Sequence, residues 1–198
     1  MQSQFTWNLT LVIFIALFAA CTNNGPVAAA PASLFDGVTL KGWQSIGNAE
    51  WFVDDGSIVG TGGNGYLATE AVYDNYRLKL EFSVDAGTNS GVFVQCQDRE
   101  DITPLTCYEI NIWDKHPRQE YRTGAIVTLK SPLEKIDTLG RWNHYDIVVS
   151  DLKINVMLNG VLVSQLESPD KSSGFIALQR NTQGQARFRH LRLQHFAQ

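Results

Sequence analysis

The sequence lacks several features that mark common classes of protein. It has no basic run: 16 Lys and Arg are dispersed among 20 Asp and Glu, leaving a formal charge of −4. Phosphate-driven binding of nucleic acid therefore has no support. The four histidines show no close metal-ligand spacing, so a zinc site is not expected. The glycine-rich residues 60–65 lack the Lys and the following helix of a P-loop. After residue 33 no segment sustains a period of 3.6, so we expect little helix.

Long apolar runs are also missing, apart from about a dozen residues at positions 9–20. This run is too short to cross a membrane, which takes roughly 20 apolar residues, and it fits the core of a secretory signal. Small residues before Cys21 resemble the bacterial lipoprotein signal, in which this cysteine is lipidated. The first ten residues contain no Lys or Arg, so an ordinary cleaved signal or a misplaced start remains an alternative. We expect a signal at 1–20, a flexible tether at 21–32 and one domain at 33–198.

Lipidation of Cys21 would place the chain in the bacterial cell envelope. Thr22, rather than Asp, follows this cysteine, and by resemblance to Gram-negative sorting signals that favours the outer membrane or periplasm. Cys96 and Cys107 would then remain as an even pair in an oxidising compartment, and a disulfide is predicted. Strict strand alternation puts these two thiols on opposite faces, so the bond requires irregular strand ends. Two separate buried cysteines are the alternative.

Short strand patterns fill the predicted domain. Asp55-Gly56 and Asn159-Gly160 predict two-residue hairpin turns. In the last strand Phe188 lies on the opposite alternation from Leu191 and Leu193, so we predict a bulge near 189–190. Many short antiparallel strands indicate an all-β jelly-roll β-sandwich. The main strands are predicted at 76–84, 91–97, 108–113, 124–130, 145–150, 154–158, 161–166, 175–179 and 186–196.

The order and spacing of these segments resemble the 3-keto-disaccharide hydrolase domain family, which has a concanavalin A-like fold. The resemblance covers residues 33–198 and rests on several segments together, none of them specific alone. It implies an often secreted or lipid-anchored bacterial protein that eliminates the aglycone of a 3-keto-glycoside or hydrates the product. Non-catalytic sugar-binding modules have a similar fold. The segments are 33–37, 42–43, 51–62, 89–93, 108–114, 123–125, 142–143 and 188–193.

The candidate site centres on Glu109. Alternation places Glu109, Asn111 and Trp113 on one face of a strand, opposite apolar residues. A carboxylate, an amide and an indole suit a carbohydrate ligand, because hydroxyl groups need donors and acceptors and a sugar ring needs an aromatic platform. The resemblance implies that Glu109 and Asp114 belong to the site. Their separation is about 16 Å along an extended strand, too far for the carboxyl pair of ordinary glycosidases. One base suffices for a 3-keto sugar, and Glu109 is our candidate; a merely solvated face is the alternative.

Two departures from the family concern the positive charge that an enolate needs. Gln95 stands where the resemblance implies an arginine, and no histidine lies near Asn181. Arg180 would supply the missing charge, or it is an exposed loop arginine. We expect Gln95 and Gln179 to bind substrate with Asn111 and Trp113.

No cofactor is expected, although calcium remains open because three acidic residues, Asp98, Glu100 and Asp101, cluster in one loop. The leading hypothesis is a lipid-anchored lyase or hydratase that acts on 3-keto-glycosides by proton abstraction. A non-catalytic carbohydrate-binding lipoprotein is the second hypothesis, and a structural envelope protein is the third. The expected partners are a carbohydrate and, through the lipid, a membrane; no nucleic acid is expected.

Overall fold

The computed structural model describes residues 30–196. Cys21, the predicted signal and most of the predicted tether lie outside these residues. The described part contains eleven strands and one short 3-10 helix, Gln119–Tyr121. The strands are β1 (Ala32–Ser33), β2 (Trp43–Asp54), β3 (Ser57–Thr69), β4 (Tyr76–Val84), β5 (Thr88–Cys96), β6 (Tyr108–Ile112), β7 (Asn143–Val149), β8 (Lys153–Leu158), β9 (Val161–Glu167), β10 (Phe175–Thr182) and β11 (Ala186–His195). No helix within residues 30–196 is long and apolar enough to cross a membrane.

All strands pair antiparallel in one sheet that folds over at β3. The order is β6-β5-β10-β3-β11-β4-β7-β8-β9, with β2 on β3 and β1 on β11. The second half of β3 pairs with β10, from Gly65 to Ala68, while its first half pairs with β11, from Ile58 to Gly60. We call β6-β5-β10 with the second half of β3 the front half, and β11-β4-β7-β8-β9 the back half.

One apolar core lies between the two halves. The front half contributes Ile110 and Val92, and the back half contributes Leu80, Phe82 and Tyr145, all at most 1% exposed. The Tyr145 hydroxyl crosses the core and donates to the Asn111 carbonyl at 2.7 Å. Residues 30–196 have a hydrophobic core of their own, so we expect this segment to fold as one domain. The all-β jelly-roll prediction is confirmed.

Local signals in the sequence account for most strand ends. The hairpin turns at Asp55-Gly56 and Asn159-Gly160 have positive φ at both residues, as the predicted turn type requires. The predicted bulge in β11 is confirmed, since the register against β4 shifts between Arg189 and Arg192. His190, which has a φ of 55°, provides the local change of direction.

One predicted strand is wrong, and β3 includes a glycine-rich segment for which no strand is predicted. Residues 124–130 form turns with single bridges at Ile126, because Thr128 and Gly124 have positive φ and interrupt an extended chain. In contrast, β3 continues through the glycine-rich segment to Thr69. A Cβ atom at Gly65 would lie 2.5 Å from the Ile46 carbonyl oxygen, so close pairing with β2 requires glycine there.

Candidate functional site

The candidate site lies on the outer face of the front half. The core residues Tyr108, Ile110 and Ile112 alternate along β6 with Glu109 and Asn111, which therefore face away from the core. Glu109 lies opposite Phe93 on β5, and Asn111 lies opposite Gly91. The predicted arrangement of the strand is confirmed, but this face is not solvated: Glu109 is 8% exposed and Asn111 is 2% exposed.

Gly91 places no side chain beside the Glu109 carboxyl group, and we call this position the hollow at Gly91. A Cβ atom at position 91 would lie 3.4 Å from Glu109 Oε1 and 3.3 Å from Cε2 of Phe93. Any larger residue would fill the space in front of the carboxyl group. Glycine at this position thus adds no side chain between the carboxylate and a small group placed over the strand.

Burial raises the pKa of Glu109 to about 7. Burial is the only cause of this shift; within the described part of the chain, neither a hydrogen bond nor a neighbouring charge contributes. A carboxyl group without partners in an apolar setting holds its proton more tightly because the charged form loses hydration. At neutral pH this group is poised to take up or release a proton.

Gln179 and Tyr66 continue the row across the front half. Gln179 lies opposite Gly91 on β5 and opposite Tyr66 on β3. Its Nε2 is 3.4 Å from the Tyr66 hydroxyl, and its buried Oε1 has no hydrogen-bond partner within residues 30–196. A buried amide oxygen without a hydrogen bond lowers the stability of the fold, which indicates that a ligand or a water molecule donates a hydrogen bond to it.

A cavity of about 170 Å³ opens beside Gln179. Its lining includes apolar surface from Ile46 and polar groups from Tyr66, Arg99 and Asn181. Drug-sized ligands occupy pockets of at least roughly 300 Å³, so this cavity is suited to a single small ring. The cavity and the hollow at Gly91 share Gln179 as a common wall.

The loop at residues 97–106 covers part of this face. Cys96 and Cys107 form a disulfide at its base, and Ile102 packs into a second apolar cluster with Phe93 and Phe175. The Tyr66 hydroxyl donates to the Ile102 carbonyl at 2.9 Å. The loop therefore forms one side of the cavity.

The disulfide depends on an irregular strand end in β5, and this irregularity also moves Gln95. The register against β10 shifts between Phe175 and Ala177, and Gln95 has a φ of 51°. This bulge returns Cys96 to the face of Phe93. Gln95, which was expected to bind substrate, is fully buried, and its amide donates to the Ser172 carbonyl at 3.3 Å. Its substrate-binding role stays a prediction.

Asp114 is not brought next to Glu109. β6 ends at Ile112, and the following loop carries Asp114 into hydrogen bonds with Thr123 and Thr138. Thr123 Oγ1 donates at 2.5 Å, Thr138 N at 2.6 Å and Thr138 Oγ1 at 2.9 Å. The Arg122 guanidinium is 3.8 Å away. The catalytic assignment of Asp114 stays a prediction, and these contacts give the residue a structural function.

Arg180 is buried on β10, not exposed in a loop. It is 4% exposed, and its guanidinium donates to the carbonyl groups of Gly62, Gly63 and Gly184. These bonds join the glycine-rich part of β3 to the turn after β10 and use most of its donors. Arg180 also lines the cavity beside Gln179 that is described above, although alternation along β10 places it and Gln179 on opposite faces of the strand. Its catalytic assignment stays a prediction.

Trp113 and Asn111 lie at the end of β6 nearest the 3-10 helix. The Asn111 amide donates to the Tyr121 carbonyl, and its oxygen accepts from Ile112 N at 2.9 Å. Half-buried Trp113 packs edge-on against His116, with ring centres 4.6 Å apart. The predicted sugar-binding roles of both residues are untested, and most of the Asn111 amide is already engaged.

No metal site is formed in the described ranges. Within residues 30–196, no group of three or more His, Cys, Asp or Glu side chains is placed to hold a metal ion. The acidic residues at 98, 100 and 101 are therefore not assembled as calcium ligands.

Sequence reasoning missed the glycine and the tyrosine of this site. Gly91 carries no chemical group, and Tyr66 follows a glycine-rich segment that is not typical of a strand. Asn89 lies opposite Asn181, two pairs beyond the pair of Gly91 and Gln179, so both asparagines belong to the same face. The cross-strand register is needed to see this, because 92 residues separate them in sequence.

Known proteins resemble this chain in both sequence and fold. A 3-keto-disaccharide hydrolase from Bacteroides thetaiotaomicron is 33% identical over 149 residues, which cover 59% of this chain and 51% of the relative. The chain thus spans about half the length of that protein. A crystal structure from Parabacteroides distasonis, provisionally called a glycosyl hydrolase, has a TM-score of 0.73 at 21% identity and covers 83% of this chain and 93% of its own.

A sugar-binding module also shares the fold. The carbohydrate-binding module CBM66 from Bacillus subtilis has a TM-score of 0.61 at 15% identity, covering 77% of this chain and 95% of the module. At these identities the two solved structures show the fold alone. The family model for the 3-keto-alpha-glucoside-1,2-lyase-like domain matches residues 30–194, and the chain belongs to this family.

Proposed function

We propose that this chain is a 3-keto-glycoside lyase or hydratase in which Glu109 is the general base. The observation that carries the proposal is the Glu109 carboxyl group, buried over Gly91 with its pKa raised to about 7. A base is most efficient when its pKa is close to the working pH. Membership of the family supports a glycoside as the substrate.

The reaction needs one base because the ketone at carbon 3 acidifies the proton on carbon 2. The C2–H bond breaks, the proton passes to Glu109, and the electron pair forms the C2=C3 bond of an enolate. The ketone then re-forms as a C1=C2 bond is made and the C1–O bond breaks. The leaving group departs with the electron pair of the C1–O bond and takes the proton from Glu109. Addition of water across C1=C2 would complete a net hydrolysis.

The enolate oxygen requires hydrogen-bond donors. Gln179 is the neighbour best placed to provide one, because its amide group lies beside Gly91 and its Nε2 contacts Tyr66 only at 3.4 Å. No cation contributes to the pKa shift of Glu109. The proposed mechanism therefore uses a neutral amide where the family resemblance implies an arginine.

The cavity beyond Gln179 is the proposed site of the leaving group. Its volume of about 170 Å³ matches one ring, and its mixed lining offers apolar contact from Ile46 and polar groups from Asn181 and Arg99. A sugar ring presents the same combination of faces. With the keto sugar over Gly91, the scissile bond would lie near Gln179.

Non-catalytic sugar binding is the second candidate, and a specific observation favours it. The Arg180 guanidinium donates its hydrogen bonds to carbonyl groups, and burial is the only cause of the raised pKa of Glu109. Without a positive charge the enolate is less stabilised. A chain with this departure would hold a sugar over the same face and leave its bonds intact.

We also propose that Cys21 carries a lipid and keeps the domain at the bacterial cell envelope, at the outer membrane or in the periplasm. The support is the short apolar run followed by Leu17-Phe-Ala-Ala-Cys21. Replacing Cys21 by Ala should move the protein from the membrane pellet to the soluble fraction after cell lysis. Continued pelleting of the variant would contradict the lipid anchor.

The catalytic proposal is tested with a 3-keto-glucoside and residues 30–198. We expect loss of substrate and appearance of the unsaturated 3-keto sugar, and loss of turnover by at least about 100-fold in Glu109→Gln, since general bases contribute about that much or more. Glu167→Gln is the matched control, because Glu167 is exposed at the end of β9, and it should keep full activity. Saturable binding without turnover in the unmodified protein would establish the second candidate instead, and an active Glu109→Gln would remove Glu109 from the mechanism.

A further inference from the structure

Three basic side chains meet on the outer face of the back half, away from the Glu109 site. Arg77 and Lys79 are two residues apart on β4 and thus share a face. Arg192 of β11 lies directly opposite Lys79 in the register. Like charges in directly opposite positions destabilise a sheet, so this pair requires compensation from elsewhere.

One carboxylate provides part of that compensation. Asp146 of β7 accepts hydrogen bonds from Arg77 at 2.7 and 2.6 Å and lies 3.7 Å from Lys79. Burial would raise the pKa of Asp146, but the hydrogen bonds and charge of Arg77, together with the charges of Lys79 and His144, lower the pKa overall. Within residues 30–196 no ion pair reaches Arg192. Three cations and one carboxylate leave two positive charges on this face.

The same residues surround a cavity of about 220 Å³ at the place where the chain enters the domain. Arg77, Lys79, Arg192, Gln194 and Pro31 line it. Immediately after Pro31, β1 pairs with β11, with Ser33 opposite Arg192. The basic residues and the first described residues are therefore neighbours.

We propose that the face formed by Arg77, Lys79 and Arg192 docks on the phosphate groups of an anionic phospholipid surface. The inference rests on the lipid-anchor part of the proposed function. Ten residues separate Cys21 from Pro31, a span of at most about 36 Å, so an anchored chain would keep this face close to the membrane. Basic side chains near a membrane are attracted to anionic headgroups.

Docking in this orientation leaves the sugar site accessible. Glu109 and Gln179 lie on the outer face of the front half, and the basic residues lie on the outer face of the back half, with the core between them. A membrane on the basic face would not cover the hollow at Gly91. The two surfaces can therefore be tested separately.

The test uses residues 30–198 and no sugar. Co-sedimentation is measured with phosphatidylglycerol vesicles and with phosphatidylcholine vesicles, at low and at high salt. We expect salt-sensitive binding to the anionic vesicles alone, weakened about fivefold by Lys79→Gln or Arg192→Gln and about 25-fold by both, as about 1 kcal/mol per basic residue implies. Lys135→Gln, in an exposed loop, is the control for net charge and should bind as the unmodified protein does.

Three outcomes would overturn the proposal. Equal binding to both kinds of vesicle would show that the phosphate charge is not recognised. Equal weakening by Lys135→Gln would reduce the effect to net charge. Saturable binding of inorganic phosphate, followed by NMR, without vesicle binding would assign the cavity to a free anion. None of these results depends on turnover, and the fractionation of Cys21→Ala tests the anchor by itself.

Discussion

Glu109 and Asp114 are two carboxylates from one short segment, and the fold places them in opposite surroundings, one without and one with hydrogen-bond partners. Asp114 accepts three hydrogen bonds from Thr123 and Thr138 and lies near Arg122. Glu109 is buried by the strand and its neighbours, and its pKa rises to about 7 through burial alone. The carboxylate of Asp114 stabilises a loop. The charged form of Glu109 lowers the stability of the fold but leaves a proton-accepting group available.

The difference shows how partners separate structural from chemical carboxylates in this sandwich. Residues that appear equivalent in sequence, five positions apart, acquire opposite properties because β6 ends between them. A buried charge without partners is costly and persists where function needs it.

Asp114→Ala should cause the largest loss of stability. The change leaves the buried donors of Thr123 and Thr138 without their acceptor and removes the carboxylate 3.8 Å from the Arg122 guanidinium. Breaking a buried charged network costs about 3–5 kcal/mol. Asp137→Ala is the control, because Asp137 contacts the same Arg122 at 3.0 Å but is 83% exposed, and its loss should cost at most about 1 kcal/mol. Urea unfolding of both variants measures the difference; equal values would contradict a structural role for Asp114.

Glu109→Gln should stabilise the fold at high pH, whereas Asp114→Ala should destabilise it. With a folded-state pKa of about 7 and an unfolded value of about 4.3, the wild-type chain takes up a proton on folding. The contribution of Glu109 to the free energy of unfolding is therefore fully present below about pH 4 and is lost as the pH rises through 7.

The glutamine variant carries no charge and avoids that loss. We expect its free energy of unfolding to exceed that of the wild type by about 4 kcal/mol at pH 9 and by almost nothing at pH 4. Urea titrations at the two pH values measure this. A variant that is less stable at pH 9 would show that the Glu109 carboxylate has stabilising partners after all.

Removal of the disulfide should have the next largest effect. Cys96 and Cys107 close a loop with a sequence separation of 11, and the double change to Ser should lower the free energy of unfolding by about 2–3 kcal/mol. Because Ile102 in this loop accepts a hydrogen bond from Tyr66, binding in the cavity should weaken as well. Thermal unfolding with and without a reductant provides the comparison, and the double variant should be insensitive to the reductant.

Gly91→Ala should have a small effect on stability and a larger one on activity. The added methyl group would meet Glu109 Oε1 at 3.4 Å and occupy the hollow where the substrate must lie. We expect about a tenfold loss of kcat/KM, which corresponds to about 1.4 kcal/mol of transition-state binding. Gly87→Ala, whose Cβ would have its nearest contact at 4.0 Å, is the control. Full activity of Gly91→Ala would contradict the position of the substrate.

The sequence predicts the strands of this domain where side-chain alternation and turn residues agree. Residues 76–84 and 108–112 alternate cleanly, so their faces, including that of Glu109, follow directly. The β11 bulge is also predictable, because three apolar residues must share one core. These are local rules, and they require no knowledge of neighbouring strands.

The rest of the site depends on long-range pairing. The bulge that moves Gln95 and permits the disulfide arises between β5 and β10, far apart in sequence. The same register places Gln179 beside Gly91. Arg180 donates to the carbonyl groups of Gly62 and Gly63, more than 100 residues away in β3, and the hydrogen bonding of Asp114 depends on Thr138, 24 residues away. Alternation within one strand contains none of this information.

The most direct test of the account is the titration of the Glu109 carboxyl group. Residues 30–198 labelled with carbon-13 in the glutamate side chains would be followed by NMR over a pH series, with Glu109→Gln identifying the resonance. We predict a pKa of about 7, well above those of the exposed glutamates in the same sample. A value near 4.5 would mean that solvent or an unrecognised partner stabilises the carboxylate, and the proposed base would lose its physical basis.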